Sequence, residues 1–212
     1  MNFYQTDRLT NYAFDFGGNF FMKRATLFFT LFFVFAIAAN AQGIDIGGTM
    51  DNFSLPDTTG KTQTLNDLKG KNGAVVIFLS VQCPVVKGYD ARISQIAADY
   101  QAKGINFIGI NSNATESLDR VKTHSAENYK FPVLIDKNNV FADKIGASVT
   151  PEVFYLGANN VLLYHGAIDN DRSGRNITEA YLRTAFDASL TGKKIERTKA
   201  NAFGCTIKRA VE

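Results

Sequence analysis

The side chains of this 212-residue chain best suited to chemistry are its two cysteines, Cys83 and Cys205. Cys83 sits in FLSVQCPVVKGYD, where an apolar, β-type run from Val75 to Leu79 leads to Pro84 and then to a helix-like pattern. Proline suits the first turn of a helix, where its missing N–H costs nothing. Cys83 is therefore expected at the helix N-cap, facing unpaired amides and the positive end of the helix dipole. A thiolate is stabilised in such a place, and a thiol pKa near 8.5 can fall to roughly 3.5–7.5. Lys87, four residues on, adds positive charge on the same face, and Ser80 upstream can offer a hydroxyl to the sulfur or to a bound oxidant. The competing reading is a small, inert thiol buried at a strand end. A second feature is Thr150-Pro151 in SVTPEVFY. Proline deletes a ladder hydrogen bond, so it belongs at a strand start or in a cis bond that turns a loop toward a site.

The elements that would position these residues follow along the chain. Residues 42–72 are turn-rich, with Pro56-Asp57 and Gly60-Lys61 between two short extended pieces that suit a hairpin. AVVIFLS reads as a buried strand, and Tyr89, Ile93, Ile96, Ala97 and Tyr100 recur at helical spacing before Gly104. INFIGIN and FPVLID read as two more buried strands, separated by a mostly polar helix with Leu118 and Val121 on one side. NVFADKIG predicts a short helix closed by Gly146. EVFYLG and VLLYHGAI predict a strand pair joined through residues 157–160. A last helix is expected to start near Asn176, with Glu179 completing a capping box, and to stop at Gly192. A polar, flexible tail holding Cys205 would follow. Strands alternating with helices, then a closing strand pair and a helix, argue an α/β sandwich with a mixed central sheet. Cys83 would then lie at the strand C-termini, where such sheets place their sites.

The start of the chain reads differently. Met22-Lys23-Arg24, the apolar ATLFFTLFFVFAIAA and the small residues Ala39 to Ala41 have the order of a secretory signal. The expected division is an extension plus signal over residues 1–41, cleaved after Ala41 with Met22 as a candidate true start, and a single domain over 42–212. An uncleaved N-terminal anchor is the alternative. The second part holds 20 basic against 18 acidic residues. This balance offers no electrostatic case for nucleic acid or for a membrane surface as partner. His124 and His165 lie far apart in the chain and lack metal-ligand spacing, so no metal and no cofactor are expected. In an exported chain, two cysteines sit where disulfides form and persist.

The strand, the Cys-Pro at a helix start and the pre-strand Thr-Pro resemble the thioredoxin fold. FSLPDTTGKTQTLNDLKGK, CPVVKGYDARI, INFIGINSN, TPEVFYL, HGAIDN and AFGCTIKR together resemble an exported, peroxiredoxin-like branch of the alkyl hydroperoxide reductase/thiol-specific antioxidant family, across residues 47–209. The resemblance implies a thioredoxin-like three-layer sandwich, a mixed sheet flanked by helices, with an N-terminal hairpin extension. It places Cys83 at the peroxidatic position, Ser80 at the Thr/Ser three residues before it, and Pro151 at the cis-proline. Thr150 is then the residue whose backbone could bind a partner peptide, and Pro84 joins it and Pro151 as a substrate contact. The chain departs from the pattern at Val76, where peroxiredoxins have proline, and at Val86, where thioredoxins have a second cysteine. The assisting arginine is open among Arg92, Arg172 and Arg175.

The implied activity is thiol-dependent reduction of hydroperoxides, with Cys205 resolving the sulfenic acid of Cys83 within the chain or across a homodimer. An external, thioredoxin-like thiol reductant would complete the cycle. The alternatives are thiol–disulfide exchange with exported proteins, and a non-catalytic binding module whose Cys83–Cys205 disulfide is a static staple.

Overall fold

A computed structural model describes residues 43–210. The expected extension and signal, residues 1–41, lie outside the described residues. The described part opens with β1 (Ser54–Pro56) and β2 (Thr62–Thr64), which pair antiparallel as the expected hairpin. A one-turn helix α1 (Leu65–Leu68) follows, its first turn capped by the Thr64 hydroxyl.

The central strand is β3 (Gly73–Leu79), buried along its whole length. Its alternation serves two cores at once. Val75, Ile77 and Leu79 face one hydrophobic cluster, while Ala74, Val76 and Phe78 face another. Successive side chains on a strand point to opposite faces, so a strand covered on both sides must be apolar throughout. Helix α2 (Pro84–Gln101) follows, with Cys83 as its N-cap and proline in its first turn. It buries Val86, Tyr89, Ile93, Ile96 and Tyr100 on the first face.

Next come β4 (Ile105–Asn111), α3 (Leu118–Asn128), β5 (Val133–Ile135) and α4 (Val140–Ile145). Helix α4 covers the second face with Phe141, Ala142 and Ile145, and ends at Gly146 in the left-handed region that glycine tolerates. The two-residue β6 (Val149–Thr150) leads through a cis Thr150–Pro151 bond into β7 (Glu152–Leu156) and then β8 (Leu162–Gly166). Helix α5 (Tyr181–Leu190) packs Leu182, Ala185 and Phe186 on the same face as α2. Two short strands, β9 (Lys199–Ala200) and β10 (Cys205–Thr206), finish the described chain.

The main sheet runs β5-β4-β3-β7-β8-β9, with β3–β4, β4–β5 and β8–β9 parallel and β3–β7 and β7–β8 antiparallel. This is the expected mixed sheet between helices. Among the described residues, no helix is long and apolar enough to cross a membrane.

Two expectations are corrected. The last helix begins at Tyr181, not near Asn176. The amides that would open it earlier are already taken: Asn170 Oδ1 accepts from Thr178 and Glu179, and Asp171 Oδ2 accepts from Asn176. Glu179 forms no capping box; its carboxylate accepts from the Tyr181 hydroxyl and pairs with Arg197. The tail is also not free. β9 joins the main sheet beside His165 and Gly166, and β10 pairs antiparallel with β6, setting Cys205 opposite Thr150 and Thr206 opposite Val149.

Candidate active site

Four segments meet around Cys83: the end of β3, the first turn of α2, the cis-proline loop and the tail strand β10. Cys83 is only 1% exposed. As a thiol it donates to the Thr150 carbonyl at 3.3 Å. Burial pushes the Cys83 pKa up. The Cys205 thiol, the Val86 amide, the Thr150 hydroxyl and the Cys205 amide oppose this by hydrogen bonding, and they prevail, leaving the pKa below the ordinary thiol value. Cys205 moves the other way. Burial raises its pKa, and so do its hydrogen bond to Cys83 and the negative charge that Cys83 carries when ionised. The two thiols titrate as a pair, with the first proton leaving Cys83. Both cysteines are free in this structure.

The loop from Ser80 to Gln82, just before Cys83, is tied down by Glu116 in the loop between β4 and α3. Glu116 accepts from the Ser80 hydroxyl at 2.5 Å, from the Val81 amide at 3.1 Å and from the Gln82 amide at 2.9 Å. Asn111 donates to the same carboxylate at 2.6 Å and to the Leu79 carbonyl at 3.3 Å. Ser80 thus spends its hydroxyl on Glu116, so the expected contact with the sulfur is not made.

A second carboxylate organises the other side. Glu152, directly after Pro151, accepts from the Ser148 and Val149 amides at 2.7 and 3.1 Å and faces His165 Nε2 at 2.7 Å. Burial raises its pKa, but the His165 contact and the two amides outweigh burial and hold it below the usual carboxylate value. The cis-proline loop is thereby pinned to β8.

The arginines left open by the sequence are accounted for. Arg92 donates to Asp169 at 2.5 Å and to the Asp171 carbonyl at 2.9 Å, and the same Asp169 accepts from Tyr89 at 2.6 Å. The Arg172 guanidinium lies 5.9 Å from the centre of the Phe203 ring, and Arg175 is exposed. Among the described residues, no arginine hydrogen-bonds the Cys83 sulfur. His165 and Asp169 act as braces around the site. Lys87 is exposed on the first turns of α2.

The structure brings Cys83, Cys205, Thr150, Pro151 and Pro84 together. Sequence reasoning missed Glu116 and Glu152. Glu152 leaves a trace, a lone charge between Pro151 and an otherwise apolar strand. Glu116 leaves none, because two of its four partners are the Val81 and Gln82 backbone amides and the other two, the Ser80 and Asn111 side chains, share no motif with it.

The AhpC/TSA family profile matches residues 46–168, more than half of the chain. The chain belongs to the AhpC/TSA family. This family match ends before the tail that carries Cys205. A crystal structure of a hypothetical protein from Sinorhizobium meliloti is 34% identical, covers 80% of this AhpC/TSA-family chain and 97% of its own, and superposes with a TM-score of 0.74. The thiol-disulfide oxidoreductase ResA of Bacillus thuringiensis is 29% identical over 119 residues, which is 56% of this chain and 67% of that protein. A putative thiol:disulfide interchange protein DsbE from Chlorobium tepidum, 21% identical with a TM-score of 0.59 over 70% of this chain and 99% of its own, shares the thioredoxin-like fold.

Proposed function

We propose that this protein is a thiol–disulfide oxidoreductase of the redoxin family, with Cys83 as nucleophile and Cys205 as the second exchanging cysteine. One observation carries the reading: β10 pairs with β6 so that Cys205 stands opposite Thr150, whose carbonyl accepts from the Cys83 thiol at 3.3 Å, and Cys205 packs against the core cluster that holds Cys83. A tail strand thus supplies from the far end of the chain the partner thiol that Val86 does not. The similarity to ResA supports the same chemistry. The signal-like order of residues 22–41 supports an exported setting, where disulfide substrates occur.

Cys83, ionised more readily than an ordinary thiol, attacks one sulfur of the substrate disulfide. The other substrate sulfur leaves as a thiolate and takes a proton from solvent. Cys205 then loses its proton and attacks the Cys83 sulfur of the mixed disulfide, releasing the second substrate thiolate, which is protonated in turn. Two electrons and two protons have passed to the substrate, and the Cys83–Cys205 disulfide remains. A thiol reductant attacking it at Cys205 expels Cys83, the better leaving group because its pKa is lower. Cys205 is also the more exposed of the two.

This reading is preferred to hydroperoxide reduction. The Ser80 hydroxyl is bound to Glu116, and Arg92 to Asp169, so neither polarises a peroxide at the sulfur. The test compares oxidants on the reduced protein. Glutathione disulfide should oxidise Cys83 at least tenfold faster than it oxidises an unstructured cysteine peptide, whereas hydrogen peroxide should show no such advantage. The reverse order would restore the peroxidase reading.

A further inference from the structure

The strand β10 occupies the backbone edge of Thr150. Its register sets Cys205 opposite Thr150 and Thr206 opposite Val149, and the Ile207 amide continues the pairing by donating to the Ser148 carbonyl at 2.9 Å. The strand is held on both flanks. Upstream, β9 is bound to β8, and Phe203 packs beside the Tyr89 ring with 6.3 Å between ring centres. Downstream, Ile207 is buried in the second core, and Arg209 donates to the Ala147 carbonyl and pairs with Asp143. Cys83 is buried beneath this strap, so no polypeptide reaches the sulfur or the Thr150 edge while the strap is in place. The strap also has a shape requirement. A Cβ on Gly204 would collide with the Thr150 carbonyl, so only glycine passes at that point.

We propose that the tail strand is the chain's own template for its substrate: an extended polypeptide that displaces β10, lays a disulfide-bonded cysteine opposite Thr150, and carries glycine just before that cysteine. The inference rests on the thiol–disulfide reading and narrows its substrate class. In the dithiol form the strap is held only by non-covalent contacts and can exchange with such a segment. Cys83 attacks the docked sulfur, breaking the substrate S–S bond, and the departing thiolate is protonated by solvent. β10 then returns to its edge, and Cys205 releases the peptide from the mixed disulfide, closing the Cys83–Cys205 bond. That bond ties the strap over the edge until an external thiol reductant opens it. Backbone pairing at Thr150 provides the affinity, and the close approach at the glycine provides the selection.

The test uses three disulfides on the reduced protein: the symmetric dimer of a peptide with the sequence of residues 202–208, the same dimer with valine at the glycine position, and glutathione disulfide. Each rate is divided by that disulfide's rate with dithiothreitol, which removes intrinsic reactivity. The glycine peptide is expected to react at least tenfold faster than the valine peptide and faster than glutathione disulfide. Loosening the strap with Ile207→Ala should raise the glycine-peptide rate at least fivefold. Arg209→Ala, at a half-exposed position, should move it the same way by a smaller factor and serves if Ile207→Ala does not fold. Equal normalised rates for the glycine and valine peptides, or no change in either variant, would overturn the template. If none of the three disulfides oxidises Cys83 faster than an ordinary thiol, the thiol–disulfide reading itself falls.

Discussion

At Cys83 two opposing effects decide the chemistry. Burial penalises the thiolate, and four hydrogen-bond donors at the site overcome the penalty. Because the native pKa is lowered, thiolate reactivity should persist to a pH below the ordinary thiol midpoint and disappear only as pH falls through the lowered value. Cys205→Ala removes a donor while leaving burial in place, so the Cys83 midpoint should rise. The pH profile of iodoacetamide alkylation would show it, and an unchanged midpoint would mean that Cys205 does not act on Cys83. Glu116 works at the same scale but on structure. Glu116→Ala leaves the Ser80 hydroxyl and the Val81 and Gln82 amides without their acceptor, and an unsatisfied buried group costs about 1–3 kcal/mol. The expected loss is about 2–3 kcal/mol in urea unfolding, with a fall in Cys83 reactivity as the loop before it loosens. A loss below about 0.5 kcal/mol would show that water replaces the carboxylate.

Among the elements, those with long, regular patterns were legible in the sequence. β3 is apolar along its whole length because both of its faces are covered, and α2 shows its buried stripe from Tyr89 to Tyr100. Pro84 and Pro151 marked the two turns that face each other across the site. The tail strands β9 and β10 were not legible, since two-residue strands carry no periodicity and their partners lie far away in sequence. The last helix starts later than its capping-box pattern implies because Asn170 and Asp171, in the preceding loop, take amides from residues 176, 178 and 179. The cis-proline loop adds a prediction with a definite sign. The Glu152 pKa is lowered in the fold, so its stabilisation is complete above the usual carboxylate pKa and is lost as pH falls through the lowered value. Glu152→Gln should therefore flatten the acid side of the stability profile and cost stability near neutral pH. A variant that loses stability equally at every pH would contradict this.

Across the whole molecule, two distant stretches meet at the site: Cys83, early in the domain, and Cys205, in the tail beyond the family match, the nucleophile and partner thiol of the proposed exchange. A disulfide between them spans a long loop, and in the chain-entropy account such a cross-link adds about 4–5 kcal/mol. The oxidised protein should therefore unfold at a higher denaturant concentration than the dithiol form, and the difference should vanish in Cys205→Ser. Equal midpoints for the two redox forms would mean that the native state resists the bond. The most direct test of the central claim is the intact mass of the reduced protein mixed with one equivalent of glutathione disulfide, with Cys205→Ser alongside. The account predicts that the native chain loses two hydrogens, with Cys83 and Cys205 linked on peptide mapping, while the variant stops as a mixed disulfide on Cys83. If the native chain instead accumulates glutathione on Cys83 and never forms the internal bond, Cys205 is not the exchanging partner and the account is wrong.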